Sequence, residues 1–206
     1  MNPLKKLFKQ TAIYGLATVL PRMLSFLLLP LYTGILATTG YGEVSVIFAY
    51  FALFNVLLAY GMETAFFRFF HGDENKETVV STSLISILAT TFLFTVVAFL
   101  FQNTIAEIID IDVKFIRYAI WILALDALVI IPFAWLRANE NPTGYAVIKI
   151  LNVAINLGLN LFFLLLLPKL SEDNATGIFS AIYRPNYEIS YIFISNLIAS
   201  GITLLL

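Results

Sequence analysis

Residues 9–37 read KQTAIYGLATVLPRMLSFLLLPLYTGILA, and the apolar run from 11 to 37 is long enough to cross a lipid bilayer as a helix. This run contains one arginine, Arg22, and two prolines, Pro21 and Pro30. We expect both prolines, and Pro132 farther along the chain, to bend their helices and free carbonyls locally. At about 1.5 Å of rise per residue, Arg22 lies roughly 16 Å from residue 11, near the middle of a hydrocarbon layer about 30 Å thick. A guanidinium at that depth costs about 2.5–3.5 kcal/mol on insertion scales, so it usually faces a water-filled cavity or a partner. We therefore expect Arg22 to have a functional role.

The composition is that of an integral membrane protein. Hydrophobic residues make up 60% of the chain and charged residues only 12%, and the mean hydropathy is +0.91. The net charge of -1 gives no indication of a nucleic-acid partner. The absence of cysteine excludes disulfides and thiolate metal sites. The single histidine, His71, has no cluster of ligands around it in the sequence, so we predict neither a metal nor a cofactor.

Polar connectors divide the chain into six apolar segments, each of which we interpret as a transmembrane helix because a helix satisfies its own backbone in lipid. The predicted fold is therefore all-α, a polytopic transmembrane bundle. The predicted spans are residues 11–37, 42–67, 79–101, 116–136, 145–167 and 189–206. The last span has no polar flank, from which we expect residues 1–206 to be the N-terminal lobe of a longer protein.

The distribution of lysine and arginine predicts the orientation of these spans. With the N-terminus in the cytoplasm, more of these residues lie on the inner side than on the outer side. The inner set is Lys5, Lys6, Lys9, Arg68, Lys76, Arg137 and Lys149, and the outer set is Lys114, Arg117, Lys169 and Arg184. We therefore predict a cytoplasmic N-terminus.

Four strings within residues 9–70 carry a family resemblance: KQTAIYG, PRMLSFLLLPLYT, YGEVS and YGMETAFFRFF. Together they resemble the opening of bacterial polysaccharide flippases of the multidrug/oligosaccharidyl-lipid/polysaccharide superfamily. From residue 79 onward, only the alternation of apolar spans and short loops agrees with this family. The resemblance implies about fourteen spans in two pseudo-symmetric lobes around a central cavity, in keeping with the internal repeats of transporters. Residues 1–206 would form the first lobe, which we do not expect to transport alone.

The resemblance implies a transporter and not an enzyme. It would flip an undecaprenyl-diphosphate-linked oligosaccharide from the cytoplasmic to the periplasmic leaflet of the bacterial inner membrane, for O-antigen, capsule or exopolysaccharide biosynthesis. Its partners would be that substrate, membrane lipids, a proton or sodium coupling ion, and the polysaccharide polymerase and glycosyltransferases. Two alternatives are a cation-coupled multidrug exporter, which the arginine at mid-membrane disfavours, and a membrane-embedded glycosyltransferase, for which no connector offers a catalytic cluster.

Within this interpretation, Arg22 is the candidate ligand of the substrate diphosphate, because a guanidinium donates two hydrogen bonds at once and stays protonated. It could instead pair with an acidic residue of a neighbouring helix. Asp126 is at matching depth in the fourth span, ten residues or roughly 15 Å past residue 116. It could form a salt bridge with Arg22 that substrate breaks, bind the coupling ion, or serve a purely structural role.

Five further polar residues complete the set of candidate substrate-binding residues. Glu63 and Arg68 are five positions apart and point in different directions on an ideal helix. We expect Glu63 to bond to another helix or to take part in gating, and Arg68 either to reach lipid headgroups or to attract the diphosphate. Asn152, Asn156 and Asn160 recur every four residues, so one face of the fifth span carries amides. These amides could line a cavity or form hydrogen bonds between helices.

Overall fold

The computed structural model describes the backbone of residues 3–72, 75–173 and 177–206. Within these ranges it describes all side chains except those at positions 3–7, 9, 10, 18, 21, 22, 24, 25, 173 and 178. Every regular element in the described ranges is helical. In chain order the α-helices are α1 (Pro3–Phe26), α2 (Leu28–Ile35), α3 (Thr38–Ala59), α4 (Met62–Gly72), α5 (Lys76–Leu100), α6 (Gln102–Ile109), α7 (Val113–Leu128), α8 (Ile130–Ala138), α9 (Pro142–Leu161), α10 (Leu167–Asp173), α11 (Ile178–Ile182) and α12 (Glu188–Leu205).

Five helical stretches among the described residues are long and apolar enough to cross a membrane. They are Thr38–Gly72, Lys76–Leu100, Val113–Ala138, Pro142–Glu172 and Glu188–Leu205. The predicted all-α polytopic bundle is confirmed, and these five stretches correspond to the last five predicted spans. The predicted span at 11–37 is not among them. The helix there, α1, carries four cationic residues besides its apolar ones: Lys5, Lys6, Lys9 and Arg22.

Two of the helix breaks have the same cause, a proline three residues past the break. Proline has no N–H to bond the carbonyl four residues earlier, and its ring crowds that carbonyl. The breaks at Leu27 and Val129 lie next to the carbonyls that Pro30 and Pro132 leave without a partner, those of residues 26 and 128. The interruptions expected at these two prolines are therefore confirmed. By contrast, α1 runs without interruption across position 21, where a bend was also expected.

Two other irregularities shape the spans. Tyr60 and Gly61 both have positive φ, 31° and 75°, and separate α3 from α4; only glycine adopts the second value without strain. A π-helical turn, Phe162–Leu166, precedes Pro168 and joins α9 to α10. As a result, the fifth span continues to Asp173, whereas the sequence predicted a connector from 168 onward.

The helices pack around α7, which contacts α3, α5, α6 and α12, while α9 contacts α1, α8 and α12. The connections α4–α5 and α8–α9 lie at one end of this bundle, which we call the 139–141 end. The connections on either side of α6 lie at the other, the 101–112 end. The connector predicted at 102–114 thus contains a short helix, α6.

Phe193 is the centre of the larger apolar core. Its ring is fully buried and lies 5.6 to 6.5 Å from the ring centroids of four aromatic residues on α3 and α7. These are Phe48, Phe51, Phe115 and Tyr118. The core therefore holds the last helix against the middle of the chain.

Replacing this ring should measurably destabilise the bundle. Lipid is as apolar as the core, so the transfer contribution is absent and only the lost packing counts; we expect Phe193→Ala to lower the free energy of unfolding by about 2 kcal/mol, less than the about 3–5 kcal/mol of soluble cores. Thermal unfolding of the purified protein in detergent measures this. Phe92→Ala is the matched control, since Phe92 is 72% exposed and its loss should change stability little. Equal effects of the two substitutions would contradict this assignment of the core.

Candidate functional site

A polar cavity penetrates the bundle from the 139–141 end. It has two adjoining chambers, of about 300 Å³ and about 170 Å³, which share Glu63, Asp126 and Lys149 in their walls. The larger chamber is also lined by Asn55, Asn152 and Thr203, and the smaller by Arg137 and Tyr145. We call the two together the charged cavity. Six helices build it: α3, α4, α7, α8, α9 and α12.

Three of the ionisable residues lie deep along their helices. Lys149 is seven residues past the start of α9, Glu63 nine residues before the end of α4, and Asp126 twelve residues before the end of α8. At about 1.5 Å per residue these offsets are roughly 11, 14 and 18 Å from the 139–141 end. Ionisable groups at such depth in a hydrocarbon layer of about 30 Å mark functional sites more often than not.

Glu63 and Arg137 form the ion pair of the charged cavity. Arg137 Nη1 lies 2.7 Å from Glu63 Oε1, and the side chains are 28% and 43% exposed, respectively. The Arg137 guanidinium also lies 5.5 Å from the ring centroid of Phe67 and 5.4 Å from that of Tyr145. The expectation that Glu63 bonds to another helix is confirmed, because this pair joins α4 to α8.

Asp126 and Lys149 face each other across the cavity without forming a direct ion pair. Ser200 Oγ donates a 2.7 Å hydrogen bond to Asp126 Oδ1, and the Asn55 side chain also reaches the carboxylate. Lys149 is close enough to Asp126 to interact electrostatically, while its Nζ lies 4.4 Å from the ring centroid of Phe133. Within the described ranges, Lys149 makes no salt bridge. It therefore offers a cation to any anion that enters the cavity.

The three asparagines of α9 mainly connect helices. Asn152 Nδ2 donates to Thr203 Oγ1 of α12 at 2.7 Å, and Asn152 also borders the charged cavity. Asn160 is fully buried: its Oδ1 accepts a 2.9 Å hydrogen bond from the Tyr32 hydroxyl of α2. Its Nδ2 donates to Asn156 Oδ1 at 2.7 Å. Asn160 thus bonds to another helix, whereas Asn156 bonds to Asn160 within α9, and neither is among the residues that line the cavity.

The two remaining candidates, Arg68 and Arg22, are not among the described residues that line the charged cavity. Arg68 is exposed on α4, and the residues that line the charged cavity do not include it. Arg22 lies on α1, which packs against α9, but its side chain is outside the described residues, as is the pairing with Asp126 that the sequence suggested. The described cation that faces Asp126 is Lys149.

Sequence reasoning missed Arg137 and Lys149 as site residues. Both were counted as positive charges on the inner side of the membrane, and Lys149 was also seen to begin the polar row of the fifth span, but neither was made a candidate for binding. The spacing of Lys149 and Asn152 places them on one helical face, which was a usable signal for Lys149. Arg137 gave no such signal, because its partner Glu63 is on a helix that is distant in sequence.

The fold and the charged cavity define a polytopic membrane protein whose ionisable side chains are held inside a helix bundle. The model of a family described as polysaccharide biosynthesis protein matches residues 7–169, and the chain belongs to this family. Among curated proteins and among solved structures, nothing matches the chain significantly. The family assignment links this membrane protein to polysaccharide biosynthesis.

The Glu63–Arg137 pair should show energetic coupling. In a double-mutant cycle of Glu63→Gln, Arg137→Gln and both together, we expect a coupling of about 1–2 kcal/mol in the free energy of unfolding, above the value of an exposed pair and below that of a fully buried one. Unfolding in detergent provides the measurement. The matched control is Asp112–Lys114, an exposed pair at 3.3 Å, for which we expect almost no coupling. A coupling energy between Glu63 and Arg137 no larger than that of the control pair would show that this ion pair does not stabilise the fold.

Proposed function

We propose that the protein flips a lipid-linked oligosaccharide with a diphosphate linkage across the bacterial inner membrane. Membership of the polysaccharide biosynthesis family supports a role in this process. The observation that carries the proposal is the charged cavity, in which Lys149 and Arg137 lie inside an otherwise apolar bundle. A diphosphate and sugars need such polar surroundings to cross lipid, while the prenyl tail stays in it.

From the charges that line the cavity we also infer an order in which the diphosphate would contact the cavity residues. Two acids, Glu63 and Asp126, balance two bases, Arg137 and Lys149, so the empty cavity is neutral. A diphosphate that arrives from the 139–141 end would first meet Arg137, one residue before the end of α8. Arg137 would exchange Glu63 for a phosphate oxygen, because its planar guanidinium binds phosphate in two places at once. The anion would then reach the Lys149 ammonium, which has no salt-bridge partner among the described residues. Release of Glu63 would break the link between α4 and α8 whenever the diphosphate is bound.

Arg22 retains its proposed role in this scheme. It would contact the diphosphate from α1 at mid-membrane, about where Asp126 lies on α7, so that the anion passes from the shallower cations to a deeper one. The multidrug-exporter alternative would use the acids Glu63 and Asp126 instead of the bases. Flipping would therefore depend on the basic residues of the charged cavity, and drug export on its acidic residues.

Loss of the cations proposed to bind the diphosphate should reduce polysaccharide export. In cells that depend on the full-length protein, we expect Arg22→Ala and Lys149→Gln each to reduce surface polysaccharide about tenfold or more and to accumulate lipid-linked precursor. A lost charge-assisted hydrogen bond of about 1.5–3 kcal/mol corresponds to that ratio. Extracted precursor and surface polysaccharide are quantified together, with membrane protein levels and gel-filtration profiles as the measure of folding.

Two controls sharpen this test. Lys149→Arg keeps the charge and should retain most export, and Lys169→Gln removes an exposed lysine from α10 at the opposite end without effect. Normal export by a folded Lys149→Gln variant would refute the cavity mechanism. Unchanged export together with greater drug sensitivity would favour the multidrug exporter.

The proposed orientation places the 139–141 end in the cytoplasm. Since the chain has no cysteine, single cysteines can be introduced at exposed positions. In intact cells with a permeable outer membrane, a membrane-impermeant maleimide should label Glu107→Cys and not Asn139→Cys. Permeabilising the inner membrane should make both react. Labelling of Asn139→Cys alone in intact cells would reverse the orientation.

A further inference from the structure

A second cavity, near the 101–112 end, has walls that are almost entirely hydrocarbon. Its volume is about 210 Å³, and α3, α5, α6 and α7 all contribute to it. Six isoleucines form much of its lining, and we call it the isoleucine cavity: Ile47, Ile105, Ile108, Ile109, Ile116 and Ile120. It shares no lining residue with the charged cavity. The transport scheme proposed above gives it no role.

The short helix α6 covers this cavity. Three of its residues, Ile105, Ile108 and Ile109, contribute to the walls, and Glu107 is exposed. Ile108 is 76% exposed, although it also borders the cavity. A short helix with one apolar side at the end of a bundle is suited to the membrane interface, where that side is buried against hydrocarbon. The cavity is therefore open toward lipid beside α6.

The depth of the isoleucine cavity matches one leaflet of a bilayer. Along α7 its deepest lining residue is Leu123, ten residues past the start of the helix at Val113. That offset is roughly 15 Å, which is about half of a hydrocarbon layer about 30 Å thick. A single acyl chain of a phospholipid extends over the same distance. A much longer polyprenyl tail would extend well beyond it.

An arginine stands beside the mouth of the cavity. Arg117 follows the lining residue Ile116, is exposed, and donates from Nε to Gln102 Oε1 at 2.8 Å. Gln102 in turn starts α6 one turn before the lining residue Ile105. Among the described residues Arg117 makes no salt bridge, whereas the neighbouring Lys114 is paired with Asp112 at 3.3 Å. The guanidinium is therefore available to a phosphate group.

Of the acidic residues of this region, Asp112 is near enough to Arg117 to interact with it electrostatically but is itself paired with Lys114. The others lie farther along the chain of α6. Glu107 and Asp110 are five and eight residues past Gln102, or roughly 7 and 12 Å along the helix. The positive charge is thus concentrated where α6 begins and α7 passes it. This position is level with the cavity mouth, as a lipid headgroup would be when its chain fills the cavity.

We propose that the isoleucine cavity binds one acyl chain of an anionic phospholipid from the surrounding membrane, with Arg117 on its headgroup phosphate. The apolar walls, the one-leaflet depth and the unpaired cation at the mouth each fit this ligand. The site is separate from the charged cavity and does not rest on the proposed function. A lipid held there would join α3 to α6 and α7 and stabilise the 101–112 end.

Photocrosslinking tests the site directly. The protein is placed in nanodiscs that contain phosphatidylglycerol or phosphatidylcholine with a diazirine in one acyl chain, and crosslinked peptides are mapped by mass spectrometry. We expect phosphatidylglycerol to label the isoleucine-cavity peptides of α6 and α7 about fivefold more than phosphatidylcholine does, the ratio for one basic residue near a charged headgroup. Arg117→Gln should abolish this preference, while Arg184→Gln, at another exposed arginine, should keep it.

The second part of the experiment fills the isoleucine cavity with a larger side chain. Ala98 is a buried lining residue of α5, and Ala98→Phe should reduce labelling of the cavity peptides about fivefold or more. Ala89→Phe makes the same change at an exposed position of the same helix and should leave labelling unchanged. Thermal unfolding checks that both variants are folded.

Three outcomes would overturn the proposal. Equal labelling of cavity peptides and of exposed peptides elsewhere, such as those with Val147, would show ordinary contact with bulk lipid. Labelling unaffected by both Arg117→Gln and Ala98→Phe would remove the site. Displacement of the label by a polyprenyl phosphate, but not by unlabelled phosphatidylglycerol, would assign the cavity to an isoprenoid instead. None of these results depends on whether the protein flips oligosaccharides.

Discussion

The charges inside the bundle must be compensated, and much of the arrangement of the helices follows from this constraint. A lone carboxylate or ammonium in a hydrocarbon layer is expensive, so Glu63 meets Arg137 and Asp126 meets Ser200 with Lys149 nearby. These contacts join α4 to α8 and α7 to α12. Neutral polar bonds extend the same network, from Asn152 to Thr203 and from Asn160 to Tyr32. Where lipid offers no hydrophobic drive for association, such bonds and close packing select one helix arrangement.

Breaks in the helices make room for this network. The interruption at Val129 lies three residues past Asp126, and Val129 itself lines both chambers of the charged cavity. The Tyr60–Gly61 turn likewise comes just before Glu63. Unwound or redirected backbone at membrane depth is tolerated where it borders a polar cavity, because freed carbonyls can be hydrated there. The helix breaks and the ionisable groups therefore belong to the same region of the bundle.

The two ends of the bundle differ in chemistry. The charged cavity extends from the 139–141 end, whereas the cavity near the 101–112 end is lined by hydrocarbon. Phe193 and its aromatic neighbours fill the space beside α7 between α3 and α12. A polar chamber of this kind suits the proposed transport, in which an anion enters from one side without a continuous pore. The apolar chamber at the opposite end is suited to lipid.

The sequence by itself determined the class of the protein, because the length and apolarity of a segment decide whether it crosses a bilayer whatever its neighbours are. It also predicted the breaks at Pro30 and Pro132, since proline removes a hydrogen bond within its own helix. It identified Asp126, Glu63 and Asn152 as unusual in lipid, but not their partners. The pairing of Glu63 with Arg137, and the position of Lys149 opposite Asp126, depend on how helices distant in sequence rotate and pack. Such rotations leave no trace in the periodicity of a single helix, so only the tertiary structure decided which charges share a cavity.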